Sequence, residues 1–261
     1  MRLVVKFGGT SLATPKHIKA VAKFVQMLSK KNQVVMVCSA INDTTDELLE
    51  ISQSIKKENR KQIDLILSNL SKQHKNIAKD TISNSVIRKK LFEKLDSILD
   101  ELNGLIHGIV LVGEVTPQSL DYLISFGERL SIEIVSFALL DLKIKSVALT
   151  GKEAGIVTDS NFGQSKPLMD TTRLRVSTNL EALLDKKFIP VIGGFTGADQ
   201  HGHVTTFGRG GSDYTATIIA ACVKADEVWL MSDVDGLMSA DPKMVKNAKR
   251  SEEHTSELQS H

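Results

Sequence analysis

Met1-Arg2-Leu3-Val4-Val5-Lys6-Phe7-Gly8-Gly9-Thr10-Ser11 opens the chain and decides its reading. Leu3, Val4 and Val5 form a short apolar run, the pattern of a buried strand in an α/β sheet. Lys6 ends that run, and a lysine is costly to bury unless a negative group meets it. Gly8-Gly9 lets the backbone turn tightly and approach a neighbour or ligand closely. Thr10, Ser11 and Thr14 offer hydroxyls, and Pro15 suits the first turn of a helix. A positive charge and exposed N–H groups therefore meet at the C-terminal end of a strand, where open α/β sheets bind ligands. An anion, most simply a phosphate, fits there. A solvated lysine on an edge strand followed by a plain turn fits the same residues. The Gly-x4-Gly-Lys-Ser/Thr spacing of a Walker loop is absent.

Working outward, Ile18, Val21, Ala22, Val25 and Leu28 recur at helical spacing and predict a helix over about 15–30. Gln33 to Cys38 reads as a second apolar strand, so strand, helix and strand make a βαβ unit with a parallel sheet. Ser39 and Thr45 then fall beyond the second strand, at the same sheet edge as Lys6. Thr45 also reads as a helix N-cap, with Asp46 and Glu47 in the first turn. From Asp46 to His107 the chain is polar with apolar stripes, such as Ile87, Leu91, Leu95, Ile98, Leu102 and Ile106. We read this as a helical insertion serving as a lid or partner surface. A helix over 118–140 follows Pro117 and carries Gly127 and Glu128. Glycine inside a helix costs about 1 kcal/mol against alanine, so Gly127 points to a close backbone approach. Glu128 either faces a ligand cation or pairs with Arg129 at the surface.

Beyond it we expect strands at 146–149 and 188–192, a loop over 151–163, a helix at 180–184 and a hairpin-like stretch ending at Phe207. Phe207-Gly208-Arg209-Gly210-Gly211-Ser212-Asp213 is the second strong element. Arg209 suits bidentate carboxylate recognition, and its glycine neighbours leave room for a small ligand. Ser212 reads as the cap of the next helix. Asp213 is either an ordinary helix-start acid or the holder of a cation, Lys6 or a substrate ammonium. A last strand, 228–231, leads into the acidic loop Ser232 to Lys243. That loop suits a nucleotide's sugar or a hydrated Mg²⁺, and turn chemistry alone explains it equally well.

Composition bounds the rest. The 261 residues, 41% hydrophobic and 25% charged, describe an ordinary globule of one large or two small domains. A net charge of +2 gives no reason to invoke nucleic acid or an acidic membrane surface. Cys38 and Cys222 lie in apolar runs without pairing or metal spacing, as expected of reduced core residues in a cytoplasmic protein. No signal peptide precedes the first strand, and no apolar run is long enough for a bilayer.

With these stretches in hand, the chain resembles the aspartokinases of the amino-acid kinase family. The matching residues are Lys6 to Ser11, Ser39-Ala40 with Thr45, Phe126 to Ser131, Phe207 to Ala216, and Asp233 to Gly236, in the family's order. The resemblance implies an α/β fold with an open, mostly parallel sheet sandwiched by helices. It implies transfer of a phosphoryl group from ATP, with Mg²⁺, to L-aspartate, giving 4-phospho-L-aspartate for lysine, threonine and methionine synthesis. By carry-over Lys6 stabilises the phosphoryl group, and Gly8, Gly9, Ser11, Gly210 and Gly211 approach the phosphates. Arg209 grips the substrate carboxylate, while Glu128 and Asp213 serve its ammonium and hold Lys6. Ser39, Thr45 and Ser212 complete the pocket. Ser232, Asp233, Met238 and Lys243 take the nucleotide, and no residue is assigned to a resident metal. A homo-oligomer is expected of the intact protein, and no membrane or nucleic-acid partner.

The chain departs from the pattern in places. Ser232 stands where the family often has threonine, Met238 where many members have tyrosine, and Lys243 where arginine is frequent. The kinase domain is expected to occupy 1–249 and to be incomplete, without the family's following Phe-Gly-Ala-Lys-Val-Leu-His-Pro-like segment or its regulatory ACT domains. Arg250 to His261 has no apolar periodicity and resembles the translation of a sequencing-library adapter, so it is expected not to pack. Two other readings fit a shorter chain: a silent nucleotide-binding fragment, or a sister kinase acting on another carboxylate.

Overall fold

The structure, a computed structural model, describes residues 1–231. Strand β1 (Arg2–Phe7) is the apolar opening run, and α1 (Pro15–Ser29) follows a 3-10 turn at Thr10–Leu12. The side chain of Thr14 accepts from the His17 N–H and Pro15 takes the first helical position, so α1 starts where a capping hydroxyl and a fixed φ coincide. Then come β2 (Gln33–Cys38), α2 (Thr44–Lys56), α3 (Arg60–Thr81), α4 (Ser85–Val112) and α5 (Pro117–Asp141). The second half holds β3 (Ser146–Leu149), α6 (Gly151–Ala154), α7 (Met169–Asp185), β4 (Ile189–Gly193), β5 (Thr196–Ala198), β6 (Val204–Thr206), α8 (Gly211–Val223) and β7 (Glu227–Met231).

Five strands form one sheet in the order β3-β4-β2-β1-β7, every pair parallel. Lys6 lies opposite Val37 on one side and Leu230 on the other. Alternation along the strands divides the core by face. Leu3, Val5, Phe7, Met36 and Cys38 pack with α1 to α5. Val4, Val35, Val37 and Ile192 pack with α7 and α8. Both faces are covered, which is why the opening strands read as continuous apolar runs. The stripe predicted over 87–106 is real: Leu91, Leu95, Leu102 and Ile106 are buried in α4. With Ile63, Ile66 and Leu70 of α3 they enter the same core as the sheet's first face.

Three local expectations need correction. The stretch 151–163 is not all loop. Thr150 and Glu153 make a reciprocal capping box, and α6 forms one turn between Thr150 and Gly155, whose φ is +101°. Helix α7 begins eleven residues before the predicted start. Its first half is polar, and Thr172 is buried there because its hydroxyl donates to Val157 O and accepts from Val157 N–H. Neither hydroxyl predicted as a cap serves as one. Asp43 precedes α2, leaving Thr45 in the first turn, and Gly210 precedes α8, leaving Ser212 in the first turn. Among the described residues no helix is long and apolar enough to cross a membrane.

Candidate functional site

The C-terminal ends of β1 and β2, the start of α2, one face of α5 and the glycine turn before α8 surround one cleft of about 650 Å³. Lys6 enters from β1, and its Nζ lies 2.6 Å from Asp213 Oδ1 on the first turn of α8. The negative group that a lysine at this depth demands thus comes from 207 residues away in sequence (213 minus 6). Arg209 sits between Gly208 and Gly210, whose φ values of +75° and +73° are left-handed and cost glycine little. The two reversals turn Arg209 outward at the rim of the cleft, where it has no ion-pair partner among the described residues. The N-termini of α2 and α8 both open into this space, so free backbone N–H groups and the positive ends of two helix dipoles face it.

Glu128 is buried in the wall of the cleft. Its residue is 4% exposed; one carboxylate oxygen accepts the Ala40 N–H at 3.1 Å, and the other has no partner among the described residues. Burial raises its pKa to about 8, opposed only in part by the Ala40 N–H. A cation placed beside Glu128 would favour the ionised form. Gly127 explains how Glu128 arrives there. A Cβ at this position would lie 2.8 Å from the Ala40 Cβ, so α5 approaches the loop after β2 at backbone distance. Gly127→Ala is expected to lower stability by about 1–2 kcal/mol, overpacking outweighing the gain in helix propensity. A urea titration checks this, and an unchanged midpoint would contradict the close approach.

Of the residues singled out from sequence, Lys6, Gly9, Ser39, Thr45, Glu128, Arg209, Gly210, Gly211, Ser212 and Asp213 all line this cleft. Gly8 and Ser11 do not line it. Gly8 lies beside the Lys6 ammonium, and the Ser11 N–H donates to Gly8 O in the following turn. Glu128 and Arg129 do not pair with each other. Arg129 turns away, donates twice to Glu101 of α4 and lies over the Phe126 ring. Cys38 is buried and unpaired with another cysteine, its thiol pushed up to about 12 by burial. Ser232, Asp233, Met238 and Lys243 lie outside the described residues, as does the tail from Arg250. Asp121, which sequence reasoning passed over, also lines the cleft. It looked like any acid on a polar helix start; only its seven-residue spacing from Glu128 placed it on the same helix face. A hollow of about 710 Å³ lies on the other side of α5, around Tyr122 and Arg129. Its nitrogen groups already have partners: Arg129 holds Glu101, Lys152 holds Gly202 O and His203 holds Asp199. The cleft is the better candidate because it keeps a buried carboxyl oxygen and an exposed guanidinium without partners among the described residues.

Comparison with known proteins points the same way. The family pattern described as "Amino acid kinase family" matches residues 1–257. The chain is 32% identical over 253 residues to an aspartokinase of Geobacillus stearothermophilus, covering 96% of this chain and 47% of that protein. It is 34% identical over 251 residues to "Aspartokinase 1, chloroplastic" of Arabidopsis thaliana, covering 94% and 42%. Its fold is similar to a crystal structure of E. coli aspartokinase III in complex with aspartate and ADP, with a TM-score of 0.84 and 26% identity, over 96% of this chain and 53% of that one. The chain thus spans about half the length of the curated relatives it matches. By a pattern that runs through almost its whole length, the chain belongs to the amino acid kinase family.

Proposed function

We propose that the chain carries the catalytic domain of an aspartate kinase, within residues 1–249, and moves the γ-phosphoryl group of ATP to the side-chain carboxylate of L-aspartate. The observation that carries this reading is the convergence of Lys6, Arg209 and the buried Glu128 on one cleft. It is supported by the aspartokinase relatives and by the structural neighbour that holds aspartate and ADP. Arg209 takes the α-carboxylate of aspartate in a bidentate grip. Glu128, ionised by the incoming cation, and Asp213 take the ammonium, with Ser39, Thr45 and Ser212 closing the pocket. Lys6 and the helix N-termini face the phosphates, with Gly8, Gly9, Ser11, Gly210 and Gly211 supplying backbone close to them. Ser232, Asp233, Met238 and Lys243 are assigned to the nucleotide from the resemblance alone.

The nucleophile is a carboxylate, ionised at neutral pH, so no general base is required. One side-chain oxygen forms the new P–O bond, the bond from the γ-phosphorus to the β-phosphate oxygen breaks, and ADP leaves with that electron pair. Lys6 meets the charge spread over the phosphoryl oxygens, so catalysis is positioning plus charge neutralisation. Mg²⁺ would enter with ATP rather than reside in the protein. Among the described residues no three His, Cys, Asp or Glu side chains gather as a cage, and Asp213 is already engaged by Lys6. When bound, it neutralises phosphate charge.

Coupled ADP release with L-aspartate, L-glutamate and N-acetyl-L-glutamate tests the proposal. Turnover dependent on aspartate is expected; turnover with either other acceptor alone would overturn it. Arg209→Lys is expected to raise the aspartate KM by roughly 10-fold or more with a smaller change in kcat, because an ammonium loses the planar two-point grip. An unchanged KM would remove Arg209 from this role.

A further inference from the structure

Asp121 lies on α5, 1% exposed, in the wall of the cleft. Both its oxygens are engaged by groups far away in sequence. Oδ2 accepts the Gly163 N–H at 2.9 Å and the Thr206 N–H at 2.8 Å, while Oδ1 accepts the Thr206 hydroxyl at 2.8 Å. All three donors are neutral. A buried carboxylate held only by neutral donors is an expensive way to fasten a loop. Its position suggests what the fastening serves.

Thr206 is the last residue of β6, three residues before Arg209. Its carbonyl also accepts from the Ser165 N–H and hydroxyl, both at 2.9 Å. Gly208, at φ +75°, lies against Gly163: a Cβ there would come within 3.2 Å of Gly163 O. Asp121 therefore grips both the strand from which the Arg209 turn springs and the loop on which that turn rests. Seven residues further along the same helix, about 10 Å by helical rise, stands Glu128. One rigid helix holds the ammonium partner directly and the base of the guanidinium's turn through Asp121.

We infer that Asp121 is a positioning residue that fixes the distance between Arg209 and Glu128, and so matches the cleft to the adjacent carboxylate and ammonium of an α-amino acid. This rests on the proposed function, because it takes those two side chains as the grips on the amino acid's head group. Both Asp121 oxygens are taken up by Gly163 and Thr206, so it serves the site through the Arg209 turn. It acts by hydrogen-bond geometry and not by its charge. An asparagine can reproduce that geometry: its oxygen accepts the two N–H groups and its amide donates to the Thr206 hydroxyl. An alanine leaves all three donors without a partner.

Calorimetry with L-aspartate and with ATP, on the full chain and its variants, tests the inference. Wild-type chain that binds neither compound would sink the proposed function itself. With wild-type binding in hand, Asp121→Ala is expected to weaken aspartate about 10- to 100-fold, the scale of a misplaced binding group, and ATP by less than about 3-fold. Asp121→Asn is expected to restore aspartate to within about 3-fold of wild type. Should Asp121→Ala fail to fold, Thr206→Val removes one clamp bond and is expected to weaken aspartate about 3- to 10-fold, again sparing ATP. Asp121→Asn as poor as Asp121→Ala would assign the effect to charge and overturn the inference. So would unchanged aspartate binding in Asp121→Ala, or in Thr206→Val where that variant stands in for it.

Discussion

Lys6→Ala is expected to lower aspartate-dependent turnover by roughly 10²–10³-fold, the usual loss when one preorganised transition-state donor is removed. The backbone of Lys6 belongs to β1, paired on both sides, so the strand survives the truncation. The side chain alone reaches the cleft, where it meets Asp213 at 2.6 Å. Its removal leaves Asp213 without that partner, but the Asp213 side chain is 49% exposed and water replaces the ammonium at little cost. Stability should therefore change little while kcat collapses. Lys6→Arg is expected not to rescue turnover, since a fork-shaped guanidinium cannot occupy the place of a point charge beside Gly8. Steady-state kinetics with a thermal melt on the same samples checks both halves. Near wild-type turnover in Lys6→Ala would take Lys6 out of the chemistry.

Glu128→Gln should separate binding from stability in opposite directions. The buried carboxyl has its pKa raised from 4.5 to about 8. Below pH 4.5 it is neutral in both folded and unfolded chains and contributes nothing to the pH dependence. Between 4.5 and 8 the unfolded chain releases the proton and the folded chain keeps it, so the fold loses stability as pH rises, and the loss levels off above 8. At pH 7 the loss is on the order of 3 kcal/mol. Glutamine stays neutral and escapes this penalty, while its oxygen still accepts the Ala40 N–H. The variant should melt roughly 5–10 °C higher at pH 7–8 and no higher at pH 4. Its aspartate affinity should fall about 10²-fold, because the ammonium loses a buried charged partner. Wild-type binding should release a proton as Glu128 ionises, and affinity should climb with pH between about 6 and 8; the variant should show neither. Melting curves across pH, with calorimetry in buffers of different ionisation enthalpy, read both effects. A variant less stable than wild type at pH 8 would contradict the account.

The edge of the sheet was readable in the sequence because its chemistry breaks local rules. A lysine closing an apolar strand and an arginine set among glycines are hard to place on an ordinary surface, and Lys6 and Arg209 do face one cleft. Gly127 gave the same kind of signal, a poor helix former where α5 meets Ala40. Asp121 broke no rule. Its three donors come from 42 and 85 residues away, so nothing near it in sequence explains its burial. The depth of Glu128 was hidden likewise, because the neighbouring Arg129 offers a plausible pair that the helix directs elsewhere. At the start of α8, left-handed Gly210 leads the chain into the helix before Ser212 can cap it. Helix α6 carried a legible Thr150 and Glu153 capping box, yet one turn is too short to show periodicity.

Because β1 pairs with β7, Leu3 lies beside Glu227, and the Arg2 carbonyl accepts the Asp226 N–H at 2.8 Å. A ribosome reaches β2 soon after β1 but must add some 190 further residues before β7 emerges, about 10–40 s at usual elongation rates. Through that interval one flank of the first strand stands open to any stray strand nearby. The ion pair between Lys6 and Asp213 likewise forms only late in synthesis. Such long-range closure favours slow folding and leaves an unpaired strand edge open to association in the meantime.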